Sequence, residues 1–309
     1  MSAWPTPAFR EDLVALFPGQ GALAGGAGIP WRTSRHWSIV ERISDAVHVD
    51  VDALLTSASD ADVVRTDRAQ LATFALSLVG YLELLDCAVR PRYLLGHSLG
   101  EFSAVVASGL LSVDEGAKLI AVRGAAMARA ADEQPGFMVA LMGGDEGARS
   151  ALEGLSDVWI ANINGTGQIV VSGSRSGLDE LVARHRALGW RRATPLAVGG
   201  AFHSPLMAPA QPDLDTALER STWATTESIV IANVDARAHT SAADWRQLLS
   251  QQLTSPVQFL DSTLALPSTV TTTIEMPPGD VLTGLTKRIR PFDEQFAPSS
   301  PTELRELVL

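Results

Sequence analysis

The stretch LLGHSLGEFSA, residues 94–104, constrains this chain more than any other. It sets Ser98 between Gly96 and Gly100, the G-x-S-x-G spacing of a nucleophile on a sharp strand-to-helix turn. A residue on such a turn occupies strained backbone space. Side chains two positions to either side would collide with the turn, so glycine is demanded there. The flanks supply the required context: YLLG (93–96) reads as a buried strand and EFSAVVASGLL (101–111) as a helix with small residues on one face.

The same periodicities organise the rest of the chain. LVALF (13–17) is a buried strand that enters a tight loop at PGQG. Residues 35–48 and 69–87 have helical spacing, and the second is nearly all apolar, as a core helix would be. Val113 to Ala131 is a further helix, with Asp114 and Glu115 in its first turn. From about residue 134 the texture changes. FMVALMG (137–143), VWIANING (158–165), QIVVSGS (168–174) and RATPLAV (192–198) read as short strands, and 145–155 and 175–188 as helices between them. That order predicts a small ferredoxin-like unit inserted at about 134–196. The chain then returns to the large domain with a helix at 205–220, a strand at 228–234, a helix at 242–253 and a strand at 271–276. The polar, Pro/Ser-containing tail after Pro291 is expected on the surface.

Composition narrows the function classes. With 24 basic and 35 acidic residues, the 309-residue chain carries a net charge of −11, which argues against broad nucleic-acid binding. No apolar run reaches the length of a membrane span. MSAWPTPAFREDLVALF has no basic region followed by an apolar one, so no signal peptide is expected. The single cysteine, Cys87, forbids an internal disulfide, fits a cytoplasmic location and is expected as a buried core thiol. The chemistry read below calls for no metal.

A serine hydroxyl is a weak nucleophile until a base takes its proton. His97 adjoins Ser98, but its side chain should point away, which leaves it a place at the cleft's border. His36, His48, His185 and His239 sit in polar surroundings and read as surface residues. His203, in VGGAFHSPLM (198–207), follows a strand and precedes a helix, where glycines permit close approach. It reads either as the base or as a satisfied core histidine. No acidic residue is an obvious third member, and a backbone carbonyl can orient the ring instead. The amides of Leu99 and of Gln20, in the loop FPGQGA (17–22), are candidate oxyanion donors. That loop fits neither common phosphate-binding pattern. Arg123, in KLIAVRGAAM (118–127), lies between apolar residues on a buried-looking helix. A buried arginine needs a partner: an internal carboxylate, which the residues alone slightly favour, or a substrate carboxylate gripped in bidentate fashion.

Together, FPGQGA (17–22), GHSLGE (96–101), VRGAAM (122–127), NGTGQIVVSG (164–173), GGAFHSPLM (199–207), QLTSPVQF (252–259) and PPGDVLTGLTKRI (277–289) resemble the malonyl-CoA:acyl carrier protein transacylases and the acyltransferase domains of polyketide synthases. The resemblance implies an α/β-hydrolase-like large domain with a parallel sheet core, at 1–133 and 197–309, around a ferredoxin-like subdomain at 134–196. It implies transfer of a malonyl group from coenzyme A to the phosphopantetheine thiol of an acyl carrier protein. Ser98 would be the nucleophile, His203 the base, and a main-chain carbonyl near Gln252 the orienting group. Arg123 would clamp the carboxylate, and Gln20 and Leu99 would supply the oxyanion amides. Gln70 and Phe202 would line the pocket, with Phe202 and Leu99 favouring malonyl over methylmalonyl. No cofactor is bound; the acyl-CoA is substrate.

The chain departs from the family where ALAGGAGIPW continues the first loop and where Pro277 replaces a usual glycine, which bears on the shape of the entrance. Carrier proteins are acidic, so docking on this acidic chain calls for a local basic patch; Arg191, Arg192, Lys287, Arg288 and Arg290 are candidates. Other readings stay open: an acyltransferase for another unit, a carrier-to-carrier shuttle, the acyltransferase subunit of a malonate decarboxylase, or a serine hydrolase.

Overall fold

β-Strand residues Val14 to Phe17 are inaccessible on both faces, as a continuous apolar run at the centre of a parallel sheet must be. The computed structural model describes residues 6–63 and 65–308. Among these, the strands in chain order are β1 (Phe9–Phe17), β2 (Arg90–Gly96), β3 (Phe137–Met142), β4 (Val158–Gly165), β5 (Gln168–Gly173), β6 (Arg192–Pro195), β7 (Ile229–Ile231), β8 (Ala238–His239), β9 (Thr272–Glu275) and β10 (Glu294–Phe296). They form two sheets. The large one has the order β10-β9-β1-β2-β7-β8 and is parallel except for the edge strand β8. The small one, β4-β5-β3-β6, is antiparallel throughout.

Helix Thr66–Asp86 runs through the large domain buried on nearly every side, as its predominantly apolar composition leads one to expect. Helix Val113–Glu133 lies against it and starts at Ser112, whose hydroxyl accepts from the Glu115 amide. The small sheet packs two helices, Glu146–Ser150 and Arg175–Arg184, around its own apolar cluster, which includes Val139, Leu141, Ile163, Ile169 and Trp190. Alternate residues on its other face, Met138, Ala161 and Val170, join the main core. The backbone also links the two parts: Val257 exchanges hydrogen bonds with Ala161 and Ile163 at 2.9 Å. None of the described helices is long and apolar enough to cross a membrane.

Some expectations need correction. The helix after the serine ends at Ala107, not residue 111, and Gly109 turns the chain at φ +89°. The segment 205–220 begins as a 3-10 turn, Pro205–Ala210, before helix Gln211–Arg220, because prolines 205 and 209 supply no backbone donor. Cys87 is half-buried at the end of its helix, although burial still raises its thiol pKa. The tail, expected on the surface, is partly buried. β10 adds an edge to the large sheet, and helix Pro301–Val308 docks with Leu304 fully buried. There Arg305 donates at 2.7 Å to Glu83, an inaccessible carboxylate that also accepts from Ser34 at 2.6 Å.

The turn at residues 96–100 shows why its glycines are obligatory. A Cβ on Gly96 would lie 2.1 Å from the Glu101 amide nitrogen, and one on Gly100 would lie 1.9 Å from the Phe17 carbonyl oxygen. Phe17 is the last residue of β1 and pairs with Gly96, so the nucleophile turn is seated on the end of the neighbouring strand.

Two stability outcomes are expected. Gly100→Ala should give no folded protein, or a melting midpoint lower by at least about 10 °C, because a backbone atom cannot yield. Its control, Gly284→Ala, sits in a helix with nothing within 4 Å of the added methyl and should stabilise by about 0.5–1 kcal/mol. Leu304→Ala should lower the unfolding free energy in a urea titration by about 2–4 kcal/mol, as expected for a side chain with 0% exposure.

Candidate active site

Ser98 stands between β2 and helix Leu99–Ala107 with φ +54° and ψ −112°, a conformation a side chain rarely adopts. Its peptide is held from both sides. The Ser98 N–H donates to Asn233 Oδ1 at 2.8 Å, and its carbonyl accepts from Gln252 Nε2 at 3.0 Å. Asn233 Nδ2 donates to the Gly96 carbonyl at 2.7 Å, which ties the end of β2 to the segment after β7.

His203, also at positive φ (+57°), is 4% exposed and brings Nε2 to 2.7 Å from Ser98 Oγ. Its Nδ1 lies 2.8 Å from the Gln252 main-chain oxygen. A carbonyl only accepts, so Nδ1 carries the proton and Nε2 is left as the acceptor for the serine hydroxyl. Burial, reinforced by the nearby Arg123 charge, pushes the His203 pKa down to about 3. The ring is therefore neutral at physiological pH.

Arg123, 1% exposed, makes no ion pair with a described carboxylate, contrary to the reading the residues alone slightly favoured. Its guanidinium donates to neutral oxygens: Gln70 Oε1 at 2.6 Å, Gln252 Oε1 at 2.9 Å and Ser98 Oγ at 3.3 Å. Its Nε–H is buried without a partner among the described residues. Desolvation lowers its pKa to about 10, which still leaves it a cation. Gln70 Nε2 in turn faces Met127 Sδ.

The loop after β1 faces this group. Gln20 begins a 3-10 turn and Leu99 begins the elbow helix. Neither backbone N–H has a hydrogen-bond acceptor among the described residues. A cavity of about 260 Å³ opens over Ser98 and His203, walled by Gln20, Met127, Met138, Phe202 and Val198. His97 lies at its border, bonded to Asn164 Oδ1 at 2.9 Å and tilted against Phe259, and does not contact the serine hydroxyl. No described group of three or more His, Cys, Asp and Glu side chains could hold a metal ion.

The basic residues are placed less uniformly. Arg191, Arg192, Lys287 and Arg288 are exposed and form no ion pair among the described residues. Arg290 belongs apart. Its guanidinium donates to the carbonyls of Leu266, Pro267 and Val270 and covers the Phe292 ring, so it is committed to the fold.

Two residues at the centre went unnoticed in the sequence. Asn233 follows the apolar run IVIA, where a lone amide is a signal of buried polar work. Glu101, 0% exposed, closes the GHSLGE motif and reads there as an ordinary first-turn acid.

Residues 16–299 match the family model for the acyl transferase domain. A malonyl CoA-acyl carrier protein transacylase of Staphylococcus aureus (strain MRSA252) is 36% identical over 284 residues, covering 89% of this chain and 91% of that protein. Its counterpart in Bacillus subtilis (strain 168) is 33% identical over 299 residues, covering 94% of each. Among solved structures, MCAT from Mycobacterium tuberculosis superposes with a TM-score of 0.90 at 34% identity, over 96% of this chain and 99% of that one. A malonyl-transacylase solved with its type II PKS acyl-carrier protein gives 0.90 at 30% identity, over 95% and 97%. The chain therefore belongs to the acyl transferase domain family and, within it, to the malonyl-CoA:acyl carrier protein transacylases.

Proposed function

We propose that this protein moves a malonyl group from coenzyme A to the phosphopantetheine thiol of an acyl carrier protein through a malonyl ester on Ser98. The observation that carries the reading is the 2.7 Å contact between Ser98 Oγ and His203 Nε2 beside a buried guanidinium that lacks a carboxylate partner among the described residues. The family's named relatives act on malonyl-CoA, and one of them was solved with its carrier protein, which supports the acceptor.

The chemistry follows from the donors and acceptors. His203 Nε2 takes the hydroxyl proton as Ser98 Oγ bonds to the thioester carbonyl carbon, while the Gln252 carbonyl keeps Nδ1–H in place. The carbonyl oxygen becomes an oxyanion and is received by the amides of Leu99 and Gln20. As it collapses, the C–S bond breaks and the departing thiolate takes the proton from Nε2. In the second half the carrier's thiol gives its proton to Nε2 and attacks the ester carbonyl. The C–O bond breaks and the proton returns to Ser98 Oγ.

Arg123 fixes the cargo's free carboxylate, with NH1 and NH2 aimed by Gln70 and Gln252. Phe202, 6% exposed at the cavity wall, leaves little room for an α-methyl, a preference of about 1–3 kcal/mol. Arg191, Arg192, Lys287 and Arg288 are the carrier-docking candidates, without Arg290. Lys287 and Arg288 also occupy the last turn of their helix, where cations favour the helix dipole regardless of any partner. The small-sheet order β4-β5-β3-β6 supports the ferredoxin-like description of residues 134–196, and the parallel sheet with its serine turn supports the α/β-hydrolase-like description of 1–133 and 197–309. A cytoplasmic location belongs to the same reading.

The decisive experiment is intact-mass analysis after mixing with malonyl-CoA. A malonyl adduct should form on Ser98, persist, and be discharged on addition of holo carrier protein. Rapid loss to water without carrier would replace the reading with a hydrolase. In an acyl-CoA panel, Arg123→Ala should lower malonyl transfer relative to acetyl by at least about tenfold; an unchanged ratio removes Arg123 from the carboxylate site. The electrostatics predict a second outcome. Because burial and the Arg123 charge both disfavour imidazolium, His203 should take up no proton between about pH 8 and about pH 5 in an NMR titration. Removing that charge in Arg123→Ala should raise the His203 pKa by about a unit or more.

A further inference from the structure

Glu101 is fully buried, touches no cation directly among the described residues, and is used by no step above. Burying such a group is costly unless its hydrogen bonds are required. Its two oxygens divide between the two brackets of the serine turn. Oε1 accepts from the Asn233 N–H at 2.6 Å, and Oε2 accepts from Gln252 Nε2. Asn233 holds the Ser98 N–H, and Gln252 holds the Ser98 carbonyl. Glu101 is the third residue of the elbow helix, the position from which an acid commonly reaches back to the N-cap amide. Here that amide is taken by Asn233, and Glu101 secures Asn233 instead.

The Gln252 amide has two orientations that differ by a half-turn. With Nε2 against Glu101, the oxygen Oε1 faces Arg123 at 2.9 Å. The reverse orientation would set an NH2 against the guanidinium and an oxygen against the Ser98 carbonyl. An acceptor at position 101 therefore decides which way the amide points, and with it what Arg123 meets. Burial pushes the Glu101 pKa up to about 8, opposed by the hydrogen bonds from the Asn233 N–H and from Gln252 and by the Arg123 charge at longer range.

We propose that Glu101 is a positioning residue for the transfer: through Asn233 it holds the strained Ser98 peptide, and through Gln252 it keeps an oxygen turned toward Arg123 and so sustains selection of a carboxylated acyl group. This rests on the acyl-transfer reading above. A glutamine at 101 must direct its NH2 at one of two donors, so Glu101→Gln breaks one bracket at nearly constant volume.

The test compares acylation of the full-length wild type and Glu101→Gln by malonyl-CoA and by acetyl-CoA, read by intact mass, with a thermal melt on each protein. Malonyl acylation should fall by at least about tenfold, and the malonyl-to-acetyl rate ratio by at least about threefold, in a folded variant. A carboxylate that served stability alone would slow both donors alike, so an unchanged ratio overturns the proposal. If Glu101→Gln does not fold, Gln252→Met carries the test, since it removes the amide but keeps the main-chain carbonyl that orients His203. Its ratio should fall likewise, and a wild-type ratio there overturns the proposal. A wild type that takes no malonyl on Ser98 defeats the acyl-transfer reading itself, a result distinct from a labelled wild type matched by Glu101→Gln.

Discussion

A buried cation whose hydrogen bonds, among the described residues, all go to neutral oxygens is the constraint around which this site is organised. Desolvating a guanidinium is expensive, and the usual remedy is a carboxylate in contact. Arg123 instead meets Gln70, Gln252 and the serine hydroxyl. This leaves a site that favours an incoming anion. It also explains the neutral histidine, because the Arg123 charge adds to burial in disfavouring an imidazolium 2.7 Å from the serine. Burial is the larger cause, and the cation that favours the cargo adds to it in keeping the base neutral.

That arrangement depends in turn on strained backbone. Ser98 and His203 both sit at positive φ, and each conformation costs on the order of 1–3 kcal/mol. The large sheet supplies the compensation. β1 and β2 end together at Phe17 and Gly96, Gly100 packs on the Phe17 carbonyl, and the helix after the serine is buried along its whole length. The rigid layers hold the turn, and the turn aims the hydroxyl. The second chain segment arrives the same way: the Gln252 main chain, at the end of helix Ala242–Gln251, supplies the carbonyl that selects the histidine tautomer.

Much of this was legible in the residues because steric and periodic signals are local. Glycines flanking Ser98, the apolar core helix and the strand-rich texture from residue 134 each announce themselves within a few positions. His203 could be singled out by its neighbours, but only geometry brings it across 105 positions to Ser98. Other features had no local signal. The tail gives little local signal because β10 is three residues long between Pro- and Ser-containing stretches, while its docking depends on Leu304 and on an Arg305 contact 222 positions away. Arg290 looked like part of a basic run, yet it serves as a clasp for three carbonyls whose approach no periodicity encodes. Asn233 and Glu101 escaped notice because polar networks are assembled from distant segments, and each partner alone looks ordinary.

The indirect placement of Glu101 has its own logic. A carboxylate in direct contact with Arg123 would neutralise it at rest, and the cargo's carboxylate would then have to displace that partner. At about 4 Å and an effective dielectric near 20, such a contact is worth about 4 kcal/mol, comparable to the gain from binding a carboxylate at all. Set one amide away, Glu101 occupies none of the guanidinium's donors, and the Arg123 Nε–H has no partner among the described residues. The molecule thereby keeps a buried cation that is stable enough to fold around and open enough to receive an acid. The intervening Gln252, whose carbonyl orients the base while its side chain orients the clamp, makes those two requirements one structural problem.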